Sequence, residues 1–352
     1  MKHFQYFSGK TVLVTGHTGF KGSWLVQWLL QLGANVIGYS LESSENTKLF
    51  EILNIKEKIH HYYGDVNDLT RLKDIFNRHQ PEIVFHLAAQ AIVKSSYEDP
   101  LNTFKTNVIG TVNVLESIRI VNSVTTAVIV TSDKCYKNEE KKNEFKETDA
   151  MGGDDPYSAS KACAELVIHS YRHSFFENSN TKIISVRAGN ILGGGDWSKD
   201  RIMVDIVNSI EFNKPIFLRN PAAVRPWQHV LDACYGYLQA VLYSEDSTSE
   251  FIPSWNFGPA KNQIMTVEEI VNLSIKEYGK GSYEILGKPS FHEANYLRIN
   301  VDLATEKLGW GTCFRNEEVI IKTIEWYKAF YKGEDIVELT NNQIFDYVNR
   351  LK

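Results

Sequence analysis

Cysteine is scarce in this 352-residue chain: Cys135, Cys163, Cys234 and Cys313 are the only four, and no two stand in a C-x-x-C spacing. That excludes the sequence patterns of a zinc ribbon, a redox couple and a disulfide framework, and scattered free thiols suit a reducing compartment. No run of about 18 apolar residues occurs, as a membrane span would need, and the opening Met1-Lys2-His3-Phe4-Gln5-Tyr6-Phe7-Ser8-Gly9-Lys10 has no apolar signal core. A cytoplasmic protein without a membrane anchor is expected. Positive charge is not in excess either: 38 Lys and Arg against 43 Asp and Glu give a net charge of −5, with a pI near 6.1. Nucleic acid is therefore not an expected partner, and any anion site must be local. His169 and His173 stand four apart but have no carboxylate partner to complete a metal site, so they read as helix-surface histidines and no metal is expected. The charged run Lys137–Glu147 reads as a solvated loop, and no repeat or low-complexity tract is present.

What is present is a 43% hydrophobic chain, long enough to bury a large α/β core. Apolar, β-branched runs at Thr11–Thr15, Asn35–Tyr39, Ile59–Tyr63, Ile83–Leu87, Ala127–Thr131 and Ile183–Val186 alternate with helical patterns. This is the rhythm of βαβ units, and the right-handed crossover rule turns it into a doubly wound parallel Rossmann sheet. The helix after the first run carries Trp24, Leu25, Trp28, Leu29 and Leu32 on one side and stops at Gly33. Beyond about Arg187 the elements shorten and the loops gain Gly, Pro and Trp, with helices expected near Val267–Tyr278 and Glu317–Tyr331. Residues 1–186 are thus expected to form the dinucleotide-binding domain. Residues 187–352 mainly form a smaller, interleaved α/β substrate lobe, with about 225–257 returning to the first domain.

Between the first strand and its helix lies Gly16-His17-Thr18-Gly19-Phe20-Lys21-Gly22, with glycines three apart. Such a turn lets backbone approach a pyrophosphate closely, and the helix behind it offers free N–H groups and a positive dipole end. Glycine also serves any tight turn; the strand-to-helix setting is what makes this a dinucleotide site. An NAD enzyme of this plan places an acid on the adenosine ribose about 20 residues further on. Here the second strand ends Gly38-Tyr39-Ser40 and the first acid is Glu42. With Lys21 near the helix start as a phosphate partner, NADP stays open beside NAD. Asp65, in Gly64-Asp65-Val66 after the third strand, can take the adenine amino group or simply cap a helix. Leu87-Ala88-Ala89 ends the fourth strand with side chains small enough to let a cofactor lie against the sheet, although small residues also merely ease packing.

Tyr157 and Lys161 are four residues apart on a helix opened by Pro156, so a phenol and an ammonium share one face. A tyrosine with an ordinary pKa near 10 acts as a base near neutrality only where positive charge stabilises the phenolate. Thr131-Ser132-Asp133-Lys134 ends the fifth strand. It sets a hydroxyl, a carboxylate and an amine where open α/β sheets place their sites, with Ser132 beside Tyr157. Asn107 reads either as a kink-forming asparagine near the site or as an ordinary buried polar residue.

These segments, with Asp155-Pro156-Tyr157-Ser158-Ala159-Ser160-Lys161, Arg187-Ala188-Gly189-Asn190, Gly193–Trp197, Arg225-Pro226-Trp227-Gln228-His229 and Trp255–Pro259, resemble the sugar-nucleotide 4,6-dehydratases of the extended short-chain dehydrogenase family across most of the chain. The resemblance implies bound NAD and CDP-glucose as substrate. Tyr157 takes the 4-hydroxyl proton while hydride leaves carbon 4, and Asp133 helps expel the 6-hydroxyl as general acid. Relatives acting on dTDP-glucose carry Asp-Glu where this chain has Asp133-Lys134, and there the glutamate is the carbon 5 base. Lys134 is therefore expected to take that proton as a neutral amine or to stabilise the enolate as a cation. Asn190, Arg201, Arg225 and His292 are the expected substrate-binding residues, arginine suiting a diphosphate through its two-pronged fork. The resemblance also implies a homodimer or dimer of dimers packed through the tyrosine helix, with Ala162, Leu166 and Val167 as candidate contacts. It further implies a place in deoxysugar synthesis for a surface polysaccharide. A nucleotide-sugar 4-epimerase shares the glycine turn and the Tyr-Lys pair but has no hydroxyl to expel; a dinucleotide-binding protein without turnover needs neither Tyr157 nor Lys161.

Overall fold

Strands buried on both faces need near-continuous apolar runs, and the computed structural model, which describes residues 2–42, 47–138, 144–246, 248–259, 263, 265–286 and 297–351, builds its main sheet from such runs. The strands are β1 (Thr11–Thr15), β2 (Asn35–Ser40), β3 (His60–Tyr63), β4 (Ile83–His86), β5 (Thr126–Val130), β6 (Lys182–Ala188) and a seventh, Ser254–Phe257. Spatially the order is Ser254–Phe257, β6, β5, β4, β1, β2, β3, every neighbouring pair parallel. The chain reverses its direction of travel across the sheet between β1 and β4, opening a crevice at the strands' carboxyl ends.

On one face of the sheet the helix α1 (Phe20–Gln31) buries Trp24, Leu25 and Trp28 with Leu238, Val241 and Trp255. On the other, Leu13, Ile37 and Val84 pack with Leu115, Ile118 and Ile168. α1 stops where Gly33 takes φ +78°, a conformation costly for a side chain with a Cβ. From the second half of the chain, the helix Val230–Glu245 packs on this sheet and the strand Ser254–Phe257 joins it at the edge beside β6. The remainder of the second half is built of short pairings. Ile216–Leu218 runs parallel to Tyr283–Ile285, and Val224–Arg225 runs antiparallel to Met265–Thr266. The helix Val267–Tyr278 follows, opened by a Thr266–Glu269 capping box, and Asn316–Lys332 packs nearby.

Three sequence expectations need correction. Ala162 is buried, and Val167 packs against the intramolecular core; of the three candidate dimer contacts, Leu166 alone stands out, at 60% exposure. The run Lys137–Glu147 is not a solvated loop at its far end: Phe145 stacks on Tyr136, and the Glu147 carboxylate accepts from the Asn256 N–H at 2.9 Å. Strand limits also shift, β4 stopping at His86 and β6 running on to Ala188, because the partner strands decide where pairing ends. No helix among the described residues is long and apolar enough to cross a membrane.

Candidate active site

A cleft of about 1060 Å³ opens along the carboxyl ends of the strands. Pockets for one small ligand span roughly 300–1,000 Å³, and this cleft stands at the top of that range. Its floor is the turn from β1 to α1. Gly16 has φ +72°, and a Cβ there would lie 2.6 Å from the Ala88 nitrogen, so only glycine lets the turn rest against the end of β4. Gly19 caps α1 without any side-chain bond, so the first turn, whose Phe20, Lys21 and Gly22 line the cleft, keeps N–H groups for an anion. Gly16, Thr18, Gly19, Phe20, Lys21, Gly22, Asp65, Val66, Leu87, Ala88 and Ala89 all line the cleft. A dinucleotide fits this cradle: the uncapped helix end suits its pyrophosphate, and the small strand-end residues leave a flat wall.

His17 does not share that wall. Its ring lies beneath the turn over Gly38, where a Cβ would meet it at 2.4 Å, and its Nε2 is 2.7 Å from His61 Nδ1. Burial, and then the charge of His61, hold its pKa down at about 3, so it stays a neutral packing group. Lys21 is not at the adenosine end either. Its Nζ donates to the Tyr237 hydroxyl at 3.1 Å, and burial pushes the ammonium down to about 8. At the end of β2, Ser40 Oγ and Thr18 Oγ1 pair at 2.7 Å. Asp65 accepts from the Asn67 N–H at 2.9 Å, while Asp68 caps the following helix.

The catalytic end is assembled by β5 and the helix Pro156–Tyr171. That helix starts where Pro156 follows Asp155, whose side chain accepts from the Ser158 N–H at 2.9 Å. Tyr157 and Lys161 then face Ser132, Asp133 and Lys134 across the cleft. Burial pushes the Tyr157 hydroxyl up to about 12, opposed by the neighbouring Ser132 hydroxyl and the Arg201 charge. Lys161 is pushed down to about 8 by burial and by Lys21. Asp133 is 2% exposed; its Oδ1 accepts from Ser132 Oγ at 3.0 Å, and its Oδ2 has no partner among the described residues. Burial raises its pKa, with Lys134, Ser132 and Arg225 pulling it partly back. The strand-end segment thus presents a carboxyl whose pKa burial raises, a lysine and a hydroxyl at one end of a strand.

Past this corner the chain makes an excursion that closes on itself. Tyr136 and Met151 form an antiparallel bridge, flanked by Lys137 N–H to Ala150 O and Gly152 N–H to Cys135 O, each 2.9 Å. Asn190, Arg201 and Arg225 line the far side of the cleft, Arg225 buried and Arg201 donating to Ala91 O at 3.3 Å. His292 lies outside the described residues. The His169 and His173 rings meet at a 55° tilt with centroids 4.4 Å apart, and no group of metal-ligating side chains exists among the described residues.

Asn107 was ambiguous from sequence and is specific in space. It sits in a π-turn, Lys105–Ile109, where its amide bonds both the N–H and the C=O of Gln90 and donates to Ser160 Oγ at 2.9 Å. It therefore ties the loop after β4 to the helix between Tyr157 and Lys161.

The fold and this corner define a Rossmann-type oxidoreductase core adapted to nucleotide sugars. The family model described as GDP-mannose 4,6 dehydratase matches residues 13–323, and the chain belongs to that family. More narrowly, the chain is 43% identical over 352 residues to the CDP-glucose 4,6-dehydratase of Salmonella typhimurium, covering 98% of both. Among solved structures, the NAD complex of dTDP-glucose 4,6-dehydratase from Bacillus anthracis is similar in fold, with TM-score 0.78 and 23% identity over 94% of this chain and 100% of that one. UDP-glucose 4-epimerase from Thermotoga maritima is as close, with TM-score 0.79 and 24% identity over 91% and 99%. Fold therefore does not separate dehydratase from epimerase; sequence does.

Proposed function

We propose that this chain removes water from CDP-glucose to give CDP-4-keto-6-deoxy-D-glucose, with NAD⁺ regenerated in each turnover. The observation that carries this reading is Asp133: a buried carboxyl with one unpartnered oxygen, at a strand end beside Tyr157. Burial pushes its pKa up, toward the protonated form that a general acid needs in order to expel a hydroxyl, a step that an epimerase does not perform. Specificity for cytidine rests on the identity to the Salmonella relative.

Gly16, Gly19 and Gly22 would cradle NAD⁺ with Leu87, Ala88 and Ala89 as its wall, and the bound cofactor would supply the hydride acceptor for sugar carbon 4 and the donor for carbon 6. Tyr157 removes the 4-hydroxyl proton. Burial holds the Tyr157 hydroxyl up at about 12 in the chain alone, so positive charge added beside it, as an oxidised nicotinamide would supply, favours this step; Lys161 stands one turn along the same helix. Ser132 holds the reacting hydroxyl. The resulting ketone acidifies carbon 5; Lys134 takes that proton, and Asp133 gives its proton to the departing 6-hydroxyl, releasing water. Arg201, Arg225 and Asn190 hold the nucleotide diphosphate side.

Exposed Leu166, Leu101, Ile109 and Phe175 lie on the tyrosine helix, its continuation and the helices packed beside it, and support a homodimer through that face. A cytoplasmic location and a role in making deoxysugars for a surface polysaccharide complete the reading. The test is to incubate the protein with CDP-, UDP- and dTDP-glucose, with and without added NAD⁺, and follow the mass of each nucleotide sugar. Loss of one water from CDP-glucose is the expected result. An unchanged mass in every tube refutes the dehydratase reading.

A further inference from the structure

Behind the catalytic corner lies a buried polar network that meets the cleft only at Thr131; its Arg187, Glu165, Tyr136 and Asn256 do not line it. Arg187, on β6, makes a two-pronged bond to Glu165 of the tyrosine helix, Nε to Oε1 and Nη2 to Oε2, each 2.8 Å. Thr131, the residue before Ser132, donates to the same Glu165 oxygen at 2.5 Å. The third arm of the guanidinium, Nη1, donates to the Tyr136 hydroxyl at 2.8 Å and to Glu147 O at 2.9 Å. Tyr136 in turn donates to Asn256 Oδ1 at 2.7 Å, and its ring stacks on Phe145 at 5.0 Å. Burial alone would raise the Glu165 carboxyl, yet Arg187 holds it below its ordinary value, so the pair is ionised. Such a pair contributes little net stability against an apolar replacement; what it fixes is geometry.

The network grips the Ser132–Lys134 segment from both ends, through Thr131 before it and Tyr136 after it. Tyr157 and Lys161 depend on it less, because their helix is also held by Asn107 at Ser160 and by Asp155 at its start. We infer that Tyr136 and its Arg187–Glu165 anchor are positioning residues for the elimination half of the reaction, holding Asp133 and Lys134 in register while leaving the Tyr157 oxidation step nearly untouched. This rests on the dehydratase reading. It goes beyond that reading in separating the two half-reactions structurally: the base Tyr157 and Lys161 stand on the helix, the elimination groups Asp133 and Lys134 on a segment clamped by the network, with Ser132 the one group of that segment shared with oxidation and itself tied to Tyr157. A misplacement of about 1 Å in a catalytic group can cost about 100-fold, so loss of the clamp is enough to change which step limits turnover.

Tyr136→Phe keeps the stack on Phe145 and removes only the hydroxyl. Its oxidation step is read with CDP-6-deoxyglucose, which has no leaving group at carbon 6, through the absorbance of reduced nicotinamide. Elimination is read with CDP-glucose through keto-sugar formation and solvent deuterium uptake at carbon 5. Expected are oxidation within about twofold of the parent, elimination slower by about 10- to 100-fold at unchanged KM, and faster amide exchange at Asp133, Lys134 and Cys135 but not at Tyr157–Lys161. Equal slowing of both steps, or unchanged elimination, overturns the inference. If Tyr136→Phe does not fold, Arg187→Lys, which keeps the charge on Glu165 but loses the arm to Tyr136, must show the same split. If the parent protein leaves CDP-glucose intact, the functional reading falls; the amide-exchange pattern still decides whether the clamp exists.

Discussion

Asp232 offers a test of the fold's electrostatics that is independent of catalysis. Its side chain, on the helix Val230–Glu245, is fully buried; Oδ1 accepts from the Cys313 N–H at 2.7 Å and the Tyr347 hydroxyl at 2.8 Å, and Oδ2 has no partner among the described residues. Burial raises its pKa from 3.8 to about 7, even though both hydrogen bonds pull downward. Below pH 4 the acid is neutral in the folded and unfolded chains alike. Between about 4 and 7 the folded chain keeps the proton that the unfolded chain has lost, so this group's contribution to stability falls as pH rises, by about 1.4 kcal/mol per unit and about 4 kcal/mol in all. Above pH 7 both forms are ionised and the loss is complete. Asp232→Asn removes the titration and keeps an oxygen acceptor, at a pH-independent cost of about 1–3 kcal/mol for the amide nitrogen it buries. The diagnostic is therefore slope: in urea denaturation from pH 5 to 8, the variant gains on the parent with each unit up to 7 and then runs parallel. Curves that stay parallel across the whole range refute the argument, because they require Asp232 to be ionised, or equally neutral, in both states.

Other expectations follow from the cleft. Tyr157→Phe leaves no base for the 4-hydroxyl and lowers kcat by about 10²–10⁴-fold, the usual worth of a positioned base, as measured by keto-sugar release. Asp133→Asn keeps oxidation but blocks expulsion of the 6-hydroxyl, so reduced nicotinamide accumulates in single-turnover absorbance; its absence would remove Asp133 as the acid. Lys134→Ala abolishes hydrogen exchange at carbon 5 if the amine is the base, and near-normal exchange leaves it only the role of a cation beside the enolate. Leu166→Asp places a charge on an exposed apolar site, and sedimentation velocity is expected to show a smaller species than the parent.

Much of this was legible along the chain, since the signals were local. The spacing of Gly16, Gly19 and Gly22, the four-residue step from Tyr157 to Lys161 and the run into Thr131 are each set by one turn, one helix face or one strand end. What was not legible depends on which distant side chain arrives. Lys21 reads as a phosphate partner until Tyr237 is brought 3.1 Å from it. His17, inside the glycine motif, turns under the sheet because Gly38 leaves room for its ring. Glu165 and Arg187 are unremarkable surface types in sequence and become a buried fork only when the tyrosine helix crosses β6. Asn107 gave a hint, a polar residue in a helical stretch, but its π-turn depends on the amide of Gln90.

The bridge between Tyr136 and Met151 separates the catalytic corner from whatever lies beyond it in the excursion. Chain added at the exposed Thr148-Asp149 step lengthens a turn on the far side of that tied pair, and each doubling of a loop's length costs only about 0.6 kcal/mol. That makes the Thr148-Asp149 step a graft point: a tag, a fluorophore-bearing peptide or a second binding module placed there would be separated from Ser132–Lys134 by the Tyr136–Met151 bridge.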